Sequence, residues 1–535
     1  MGAVRPDRAS RAWSLAFLVF FLISASWVFA SPYDGAPDEV RHLIRAAGVA
    51  EGQIFAKPAT KPGLGNVGAY QTVPKGLVSG GAPTATYGYC YHWAPARSAA
   101  CAPVPGGGGN TPATVITGAG RYNPVYYAAV GEPLVLWPNW TGILLARLVS
   151  AALCAAFLAS AWLSCLEWRR SRLLIAGLFL AATPAFFELT GAVNPNSLEI
   201  AAGISLAAAA IPLLLDGDSP HAQRWLRRAA LAAIGIGQFR AIGPELIAGL
   251  LVILLLPPSQ AQVRQLWRRR SARWWFAGVV ASCALGELWT ITSKVSDIGN
   301  IAHGKYTTGF ILHTELQPSG RLLRVIEEMI DGFSYYDTKP PSLILVIWGV
   351  AIGLLLAAAF AWGTWAERWR LAVLTTGTLA IPVLFEVSAA SRFGFSFQGR
   401  YILPLAAAIP MLAAFITGRS GRLTAIWQAR IIRTMIVVLL PVQLISLGWV
   451  MDRWQSGIGP RHTLNPLLGS WHPVTGSVLP LVLMTAGLIG FGWLAWRAAS
   501  LAEDEHPLAA GQPAAELRPA PLASGAQPGL TSPVS

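Results

Sequence analysis

Long apolar runs separated by short polar loops recur along almost the whole 535-residue chain. Runs of about 18 residues or more predict transmembrane helices, because a helix of that length spans the bilayer core. The run at 229–257 is interrupted by GQFRAIGP at 237–244. Its first arm of about 11 residues would rise only ~16 Å, so we interpret 229–257 as a hairpin with a short first arm and with Arg240 at its tip. The predicted apolar segments are 12–30, 141–166, 173–192, 197–215, 229–239, 243–257, 274–293, 341–362, 371–390, 401–418, 432–451 and 476–496.

This pattern predicts an all-α polytopic membrane protein with about 11–13 transmembrane helices. Three longer polar segments, at 31–140, 294–340 and 452–475, separate some of the runs. Two stretches within them, at 39–52 and 321–333, place apolar residues on one helical face, which predicts helices lying in the membrane interface. The Gly- and Pro-rich part of the first segment, at 57–120, has no periodicity and is predicted to be a loop. Residues 497–535 are rich in Ala, Pro, Glu and Ser, which predicts a disordered tail.

The charge of the chain does not indicate nucleic-acid binding. The chain is 54% hydrophobic and 12% charged, with a formal net charge of +14. Its arginines cluster in short loops between apolar runs, which is the pattern of cytoplasmic loops in membrane proteins. We therefore assign the basic loops, the N-terminal residues 1–11 and the tail to the cytoplasm. The three long polar segments then lie outside, and residues 12–496 form one transmembrane domain.

Two features of the first 140 residues leave alternatives open. Residues 1–30 resemble a signal peptide, with a basic start and a Val28-Phe29-Ala30 end, but the apolar core favours an uncleaved first helix because of its length. Cys90 and Cys101 lie in the same outer segment and would form a disulfide in an oxidising compartment; the alternative is two free thiols.

Polar residues that chemistry could use converge on the outer side of the predicted bundle. The stretch SPYDGAPDEVRHL at 31–43 places the adjacent carboxylates Asp38 and Glu39 just beyond the first helix. These two are the candidate catalytic residues, because a carboxylate can accept the proton of an attacking hydroxyl. Arginines bind phosphate in a bidentate manner. The candidate substrate- or phosphate-binding residues are His42, Arg121, Asn123, Arg147, Asn194, Asn196, Arg240, Gln398, Arg400 and Tyr401.

Structural explanations compete with these roles. Asp38 could simply cap the helix that begins near Glu39, and Arg147 could extend to the outer headgroups. No His/Cys spacing predicts a metal site, and one Asp-Glu pair offers a divalent cation few ligands, so a cation requirement stays open.

Several motifs together resemble a bacterial polytopic family of unknown function that is grouped with the GT-C superfamily of membrane glycosyltransferases. The motifs are APDEVRHLIRAAGVAEGQ, RYNPVYYAAVG, Arg147-Leu148, TGAVNPNSLEI, FRAIGPE, GFSYYDTKPP and QGRYILP, and they follow the family's order over residues 12–495. The resemblance implies a GT-C-like fold in the bacterial cytoplasmic membrane and polyprenyl-phosphate-linked sugars as donors. It also implies an extracytoplasmic active site whose base is the first-loop acidic residue, here Asp38 with Glu39 beside it.

The resulting hypothesis is sugar transfer from a polyprenyl phosphate to a cell-envelope glycan or lipid, with inversion and with Asp38 as general base. Arg240, Arg400 and Arg147 would hold the phosphate, and Asn123, Asn194 and Asn196 would bind sugar hydroxyls. The alternative is a non-catalytic transporter of lipid-linked glycans or an envelope-assembly protein, which predicts a polar path into the cytoplasmic half of the bundle.

Overall fold

The computed structural model describes residues 6–61, 65–78, 89–216, 219–256, 264, 266–295, 304–459 and 464–505. The helices of its first half are α1 (Pro6–Ala30), α2 (Glu39–Ala50), α3 (Pro124–Val130), α4 (Glu132–Leu136), α5 (Trp140–Glu167), α6 (Leu174–Ala181), α7 (Pro184–Thr190), α8 (Pro195–Leu215), α9 (Ala222–Phe239) and α10 (Gly243–Leu255). Those of its second half are α11 (Arg270–Thr292), α12 (Thr308–Leu316), α13 (Arg321–Asp331), α14 (Leu343–Trp362), α15 (Trp365–Phe393), α16 (Gly399–Ala406), α17 (Ala408–Arg419), α18 (Ala425–Ser456) and α19 (Val478–Glu505).

Every predicted apolar run forms helix. Nine helical segments within the described residues are long and apolar enough to cross a membrane, with α16 and α17 acting as one segment. The chain is thus a polytopic helical membrane protein. The predicted run at 173–192 is not continuous, because α6 ends at Ala181 and α7 begins at Pro184. Proline lacks the backbone N–H that a continuing helix would need, and the Thr183 side chain caps the new helix instead.

The first arm of the predicted hairpin is longer than the sequence indicated. Helix α9 begins at Ala222 and contains 18 residues, so it rises ~27 Å rather than ~16 Å. The apolar pattern missed its first turns because they carry Arg224, Arg227 and Arg228. The chain then turns at Arg240 and returns as α10, so the predicted hairpin itself is present.

The predicted loop at 57–120 was wrong in part, because it contains a small antiparallel sheet. Its strands are β1 (Lys57–Lys61), β2 (Gly65–Pro74) and β3 (Pro112–Thr117), in the order β1-β2-β3. An irregularity between Ala59 and Thr60 breaks the register of β1, and β2 contains Gly68 at a positive φ of 133°. Both features disrupt the alternation of apolar and polar residues by which a strand is found in a sequence.

The described part of the segment at 31–140 folds around its own helix α2, which packs against α3, α4 and β2. Most residues of α2 are buried, including Glu39, His42 and Arg45. The helix is therefore enclosed by protein on most sides. The segment also contains the Cys90–Cys101 disulfide that was one of the two alternatives.

The bundle has two chemically different ends. One end holds arginines paired with acidic residues, and we call it the arginine-rich end: Glu167 pairs with Arg224 and Arg228, Asp216 with Arg170, and Glu367 with Arg419. At the opposite end, which we call the site end, α1 and α9 finish and α2, α8 and α16 begin. The contacts described below lie at the site end.

Helix α1 is an integral part of the bundle, because it packs along α5 and α19 and buries Trp27 completely. The uncleaved first helix stays a prediction. At the other terminus, α19 continues to Glu505, beyond the expected start of the tail at 497. The remainder of the predicted disordered tail lies outside the described residues.

Candidate functional site

The turn between α1 and α2 presents Asp38 in a left-handed conformation, with a φ of 64°. Its backbone N–H donates to the hydroxyl of Tyr335 at 3.2 Å. The Asp38 side chain makes no capping hydrogen bond to α2. Instead, Oδ1 of Asp34 accepts the N–H of Val40 at 3.0 Å. Asp34 therefore does the capping that Asp38 was suspected of, and the Asp38 carboxylate is left for other contacts.

The Asp38 carboxylate lies between two guanidinium groups. Its Oδ2 accepts from Nη2 of Arg400 at 2.6 Å, and its Oδ1 lies 3.1 Å from Nη1 of Arg41. Burial alone would raise the pKa of Asp38, but Arg41 and Arg400 outweigh it and hold that pKa well below its usual range. The side chain is 28% exposed, so the carboxylate remains accessible from one side.

A second pair of arginines shares one aromatic ring beside Asp38. The guanidinium carbons of Arg240 and Arg400 lie 4.5 and 5.2 Å from the ring centroid of Tyr401. Nη1 of Arg240 also donates to Oδ1 of Asn196 at 2.5 Å. These contacts bring the tip of the α9–α10 hairpin, the start of α8 and the start of α16 to one place.

His42 and its tyrosine neighbours form the next side of the site. Nδ1 of His42 shares a hydrogen bond of 2.8 Å with the hydroxyl of Tyr127, and the ring lies 6.0 Å from that of Tyr122. Burial lowers the pKa of His42 to about 3, and the nearby arginines contribute to this shift although Asp38 opposes it. His42 is therefore neutral at physiological pH and adds no charge to the site.

The second carboxylate of the pair, Glu39, has a different environment. Glu39 and Arg147 are both fully buried and form a bidentate ion pair with distances of 2.7 and 2.6 Å. The remaining donors of Arg147 bind the backbone oxygens of Val28, Ser31 and Pro32. These contacts engage the guanidinium group of Arg147 within the protein. We therefore do not propose that Glu39 or Arg147 takes part in the reaction.

The other predicted residues surround this centre in supporting positions. Nδ2 of Asn194 donates to the Pro37 carbonyl at 3.0 Å, which is the same oxygen that Nη1 of Arg400 binds. Oε1 of Gln398 accepts from the Tyr336 hydroxyl at 3.4 Å. Asn123 donates to Gln238, and Arg121 donates to the Lys294 carbonyl; both lie to one side, where α9 and α11 finish at the site end.

The sequence hypothesis missed several residues of the site. Arg41 stands three positions after Asp38, on the same face of a helix, and that spacing could have identified it. Asp34 and Tyr335 gave no comparable signal, because a left-handed turn and a contact across 297 positions bring them to Asp38. The disulfide-bonded loop adds His92, whose ring stacks on Tyr335 at 3.7 Å between centroids.

Several buried polar atoms in the site have no hydrogen-bond partner within the described part of the chain. They are Nδ2 of Asn196, Nε of Arg400 and both carboxylate oxygens of Glu199. Such groups are costly unless a polar ligand or water binds them. Within the same residues, no group of three or more His, Cys, Asp or Glu side chains could hold a metal ion.

A protein-family model described as "Predicted membrane protein (DUF2142)" matches residues 20–409. The chain belongs to this DUF2142 family. A search of curated proteins gives no match. Among solved structures, the chain is similar to ArnT from Cupriavidus metallidurans, bound to undecaprenyl phosphate and in the apo state. Both likenesses have 14% identity and a TM-score of 0.42; they cover 94% and 92% of this chain and 79% and 78% of ArnT.

Proposed function

We propose that this DUF2142 protein is a membrane glycosyltransferase of the bacterial cytoplasmic membrane. It transfers a sugar from a polyprenyl-phosphate donor to a hydroxyl of an envelope glycan or lipid on the extracytoplasmic side. The observation that carries the proposal is an accessible carboxylate, Asp38, paired with the guanidinium groups of Arg41 and Arg400, with the guanidinium group of Arg240 sharing the ring of Tyr401 with Arg400.

The charge of the site suits a phosphate leaving group. The three guanidinium groups outnumber the carboxylates of Asp38 and Glu199, and burial raises the pKa of the third carboxyl group, that of Asp34, to about 7. A sugar phosphodiester carries one negative charge, and its phosphate gains a second as the bond to the sugar breaks. Positive groups fixed around that phosphate stabilise the transition state more than the bound donor, and this difference accelerates the reaction.

The proposed step is a displacement at the anomeric carbon. The acceptor oxygen forms a bond to that carbon while its proton passes to Asp38, and the bond between carbon and phosphate oxygen breaks with its electron pair going to phosphate. Attack from the opposite face inverts the anomeric configuration. The unpartnered Nδ2 of Asn196 and oxygens of Glu199 are suited to bind sugar hydroxyls beside the reacting centre.

The direct test uses the purified protein in nanodiscs. A panel of radiolabelled polyprenyl-phosphate sugars is supplied with an envelope extract as acceptor, and wild type is compared with Asp38→Asn. We expect transfer by wild type and its loss by at least about 100-fold in the variant, as for removal of a general base, with donor binding retained. Full transfer activity in both Asp38→Asn and Asp38→Ala would refute the role of Asp38.

The transporter alternative receives less support from the structure. It requires a polar path toward the arginine-rich end, but the cavity there between α8, α9, α10 and α11 is lined by apolar side chains such as Leu206, Ala230 and Phe276. Glu386, a charged residue of a membrane helix, accepts the backbone N–H groups of Ser396 and Phe397 near the site end instead.

A further inference from the structure

The contacts of Asp38 present a difficulty for its role as a base. Each of its carboxylate oxygens already faces a guanidinium group, at 2.6 Å and 3.1 Å. A carboxylate whose anionic form is stabilised this strongly accepts a proton poorly, because base catalysis weakens as the pKa of the base falls. Asp38 would become a better base if one of its two arginine partners left during the reaction.

The two arginines differ in how firmly the protein holds them. Arg400 is 3% exposed, donates to the Pro37 carbonyl at 3.0 Å and lies over Tyr401. The side chain of Arg41 is 34% exposed. Within the described residues, its guanidinium group forms an ion pair with Asp38. Arg41 can therefore move with little loss of other contacts, whereas Arg400 is fixed.

We propose that Arg41 is a phosphate-binding residue that exchanges the Asp38 carboxylate for the phosphate of the donor. This inference rests on the proposed function. When the donor binds, Arg41 turns to the phosphate, while Asp38 keeps Arg400 and becomes free to accept the acceptor proton. The leaving phosphate then gains its second negative charge beside Arg41. After the lipid phosphate leaves, Arg41 returns to Asp38.

The surroundings of Arg41 are consistent with such a movement. Besides Asp38, with which it pairs, Arg41 lies close enough to Tyr335, Asp34 and Tyr122 for these groups to raise its pKa, so its surroundings are polar. Gly118 lies beside the Arg41 side chain, and a Cβ at this position would be 3.7 Å from Cδ and Nη1.

The exchange makes a prediction about binding that a fixed ion pair does not. In the wild type, phosphate must compete with Asp38 for Arg41. In Asp38→Asn this competition is removed, so the variant should bind a lipid phosphate more tightly, although it is inactive in transfer. Asparagine also tolerates the left-handed conformation at position 38, so the fold should survive the change.

The experiment measures the dissociation constant of undecaprenyl phosphate for the full-length protein in nanodiscs. The proteins compared are wild type, Asp38→Asn, Arg41→Gln and the double variant. We expect binding to weaken about tenfold in Arg41→Gln, as for the loss of one charge-assisted hydrogen bond, and to tighten severalfold in Asp38→Asn. In the double variant the benefit of Asp38→Asn should disappear, so that its affinity equals that of Arg41→Gln.

Arg324→Gln is the matched control, because Arg324 also pairs with a carboxylate of its own helix, Glu328, at 3.1 Å and is well exposed. It should bind like wild type. If Asp38→Asn tightens binding equally with and without Arg41, simple repulsion between Asp38 and phosphate explains the gain and the exchange is refuted. Unchanged affinity in Arg41→Gln refutes it as well. If either of these results is found and wild type still transfers sugar, the exchange is refuted but the proposed function is retained. If wild type binds no undecaprenyl phosphate, both proposals are refuted.

Discussion

At the scale of single residues, two adjacent carboxylates in this protein have opposite environments. Asp38 is partly exposed and lies between two arginines, whereas Glu39 is fully buried against the single guanidinium group of Arg147. The direction of the side chain at the start of α2 decides which environment each carboxylate enters. The sequence DE predicts that acidic groups are present here, but it cannot say which of them is accessible.

This difference predicts separate effects for the two amide substitutions. Glu39→Gln removes the negative partner of a fully buried arginine, so we expect the protein to lose about 3–5 kcal/mol of stability. Asp38→Asn also removes the carboxylate partner of a buried arginine, Arg400, but the Asp38 side chain is 28% exposed, so we expect a clearly smaller loss of stability. Thermal unfolding of both variants in the same nanodiscs checks the prediction. Glu39→Gln/Arg147→Met should regain part of the lost stability, and equal unfolding temperatures for the two single variants would contradict this assignment.

Asp34 predicts a dependence of stability on pH. Burial raises the pKa of Asp34 to about 7 in the folded protein, from an ordinary value near 3.8. Between these values the folded state holds the proton and the unfolded state releases it, so this contribution to stability falls as pH rises from about 4 to 7. In Asp34→Asn the Val40 cap is retained without the ionisation. The variant should therefore unfold at a higher temperature than wild type at pH 8, and the difference should shrink toward pH 5.

The comparison of wild type with Asp34→Asn at each pH also separates Asp34 from its neighbour His92. Burial lowers the pKa of His92 to about 4, so its contribution changes with pH in the opposite sense. Because His92 is present in both proteins, its contribution largely cancels in the difference between their unfolding temperatures. A difference that does not change with pH would show that Asp34 ionises normally in the folded protein.

At the scale of elements, a close helix contact positions the hairpin that carries Arg240. Helices α9 and α11 meet at Gly237 and Gly286, where a Cβ on Gly286 would lie 2.0 Å from the Gly237 carbonyl oxygen. One turn away, Nε2 of Gln238 donates to Ser282 of α11. Only a residue without a side chain permits this approach, and Arg240 follows three positions after Gly237.

We therefore predict that Gly286→Ala separates α9 from α11, lowers stability by about 1–3 kcal/mol and reduces sugar transfer by displacing Arg240. Gly278→Ala is the control on the same helix, because its Cβ would be 3.6 Å from Cδ1 of Ile234, an ordinary contact. The control should keep activity and could gain slightly in stability from the better helix propensity of alanine. Unfolding temperature and transfer rate are measured for both; equal behaviour would show that the contact does not position Arg240.

The helices of this protein could be predicted from the sequence more completely than its sheet. Long apolar runs such as the predicted 341–362 are unambiguous, because a helix in lipid must satisfy its own backbone hydrogen bonds. The sheet was missed because β2 pairs with β3 across an intervening segment of 37 residues and because Gly68 interrupts the alternation. The start of α9 was missed because its arginines, which are typical of a membrane surface, do not belong to an apolar run and were assigned to a loop. In the site, motif order indicated Asp38, Arg240 and Arg400, and the spacing from Asp38 could have added Arg41. The contacts of Asp34 and Tyr335 at the start of α2 could be found only in the three-dimensional structure.

At the scale of the whole molecule, the separation of the two ends determines where the chemistry occurs. The arginine-rich end has the composition of a cytoplasmic face, and the opposite end contains Asp38, Arg240 and Arg400. A lipid-linked sugar at the outer surface can reach the site only if that end faces outside. The proposed reaction therefore depends on the orientation of the bundle.

This orientation is tested with single cysteines in a Cys283→Ser background, in which Cys90 and Cys101 are bonded and Cys154 and Cys165 are buried. Glu132→Cys places a thiol on the exposed start of α4 near the site end, and Arg422→Cys places one on the exposed loop after α17 at the arginine-rich end. A membrane-impermeant maleimide should label Glu132→Cys in intact spheroplasts and Arg422→Cys only after permeabilisation. The reverse pattern would place Asp38 and its arginines in the cytoplasm and exclude transfer to an extracytoplasmic acceptor.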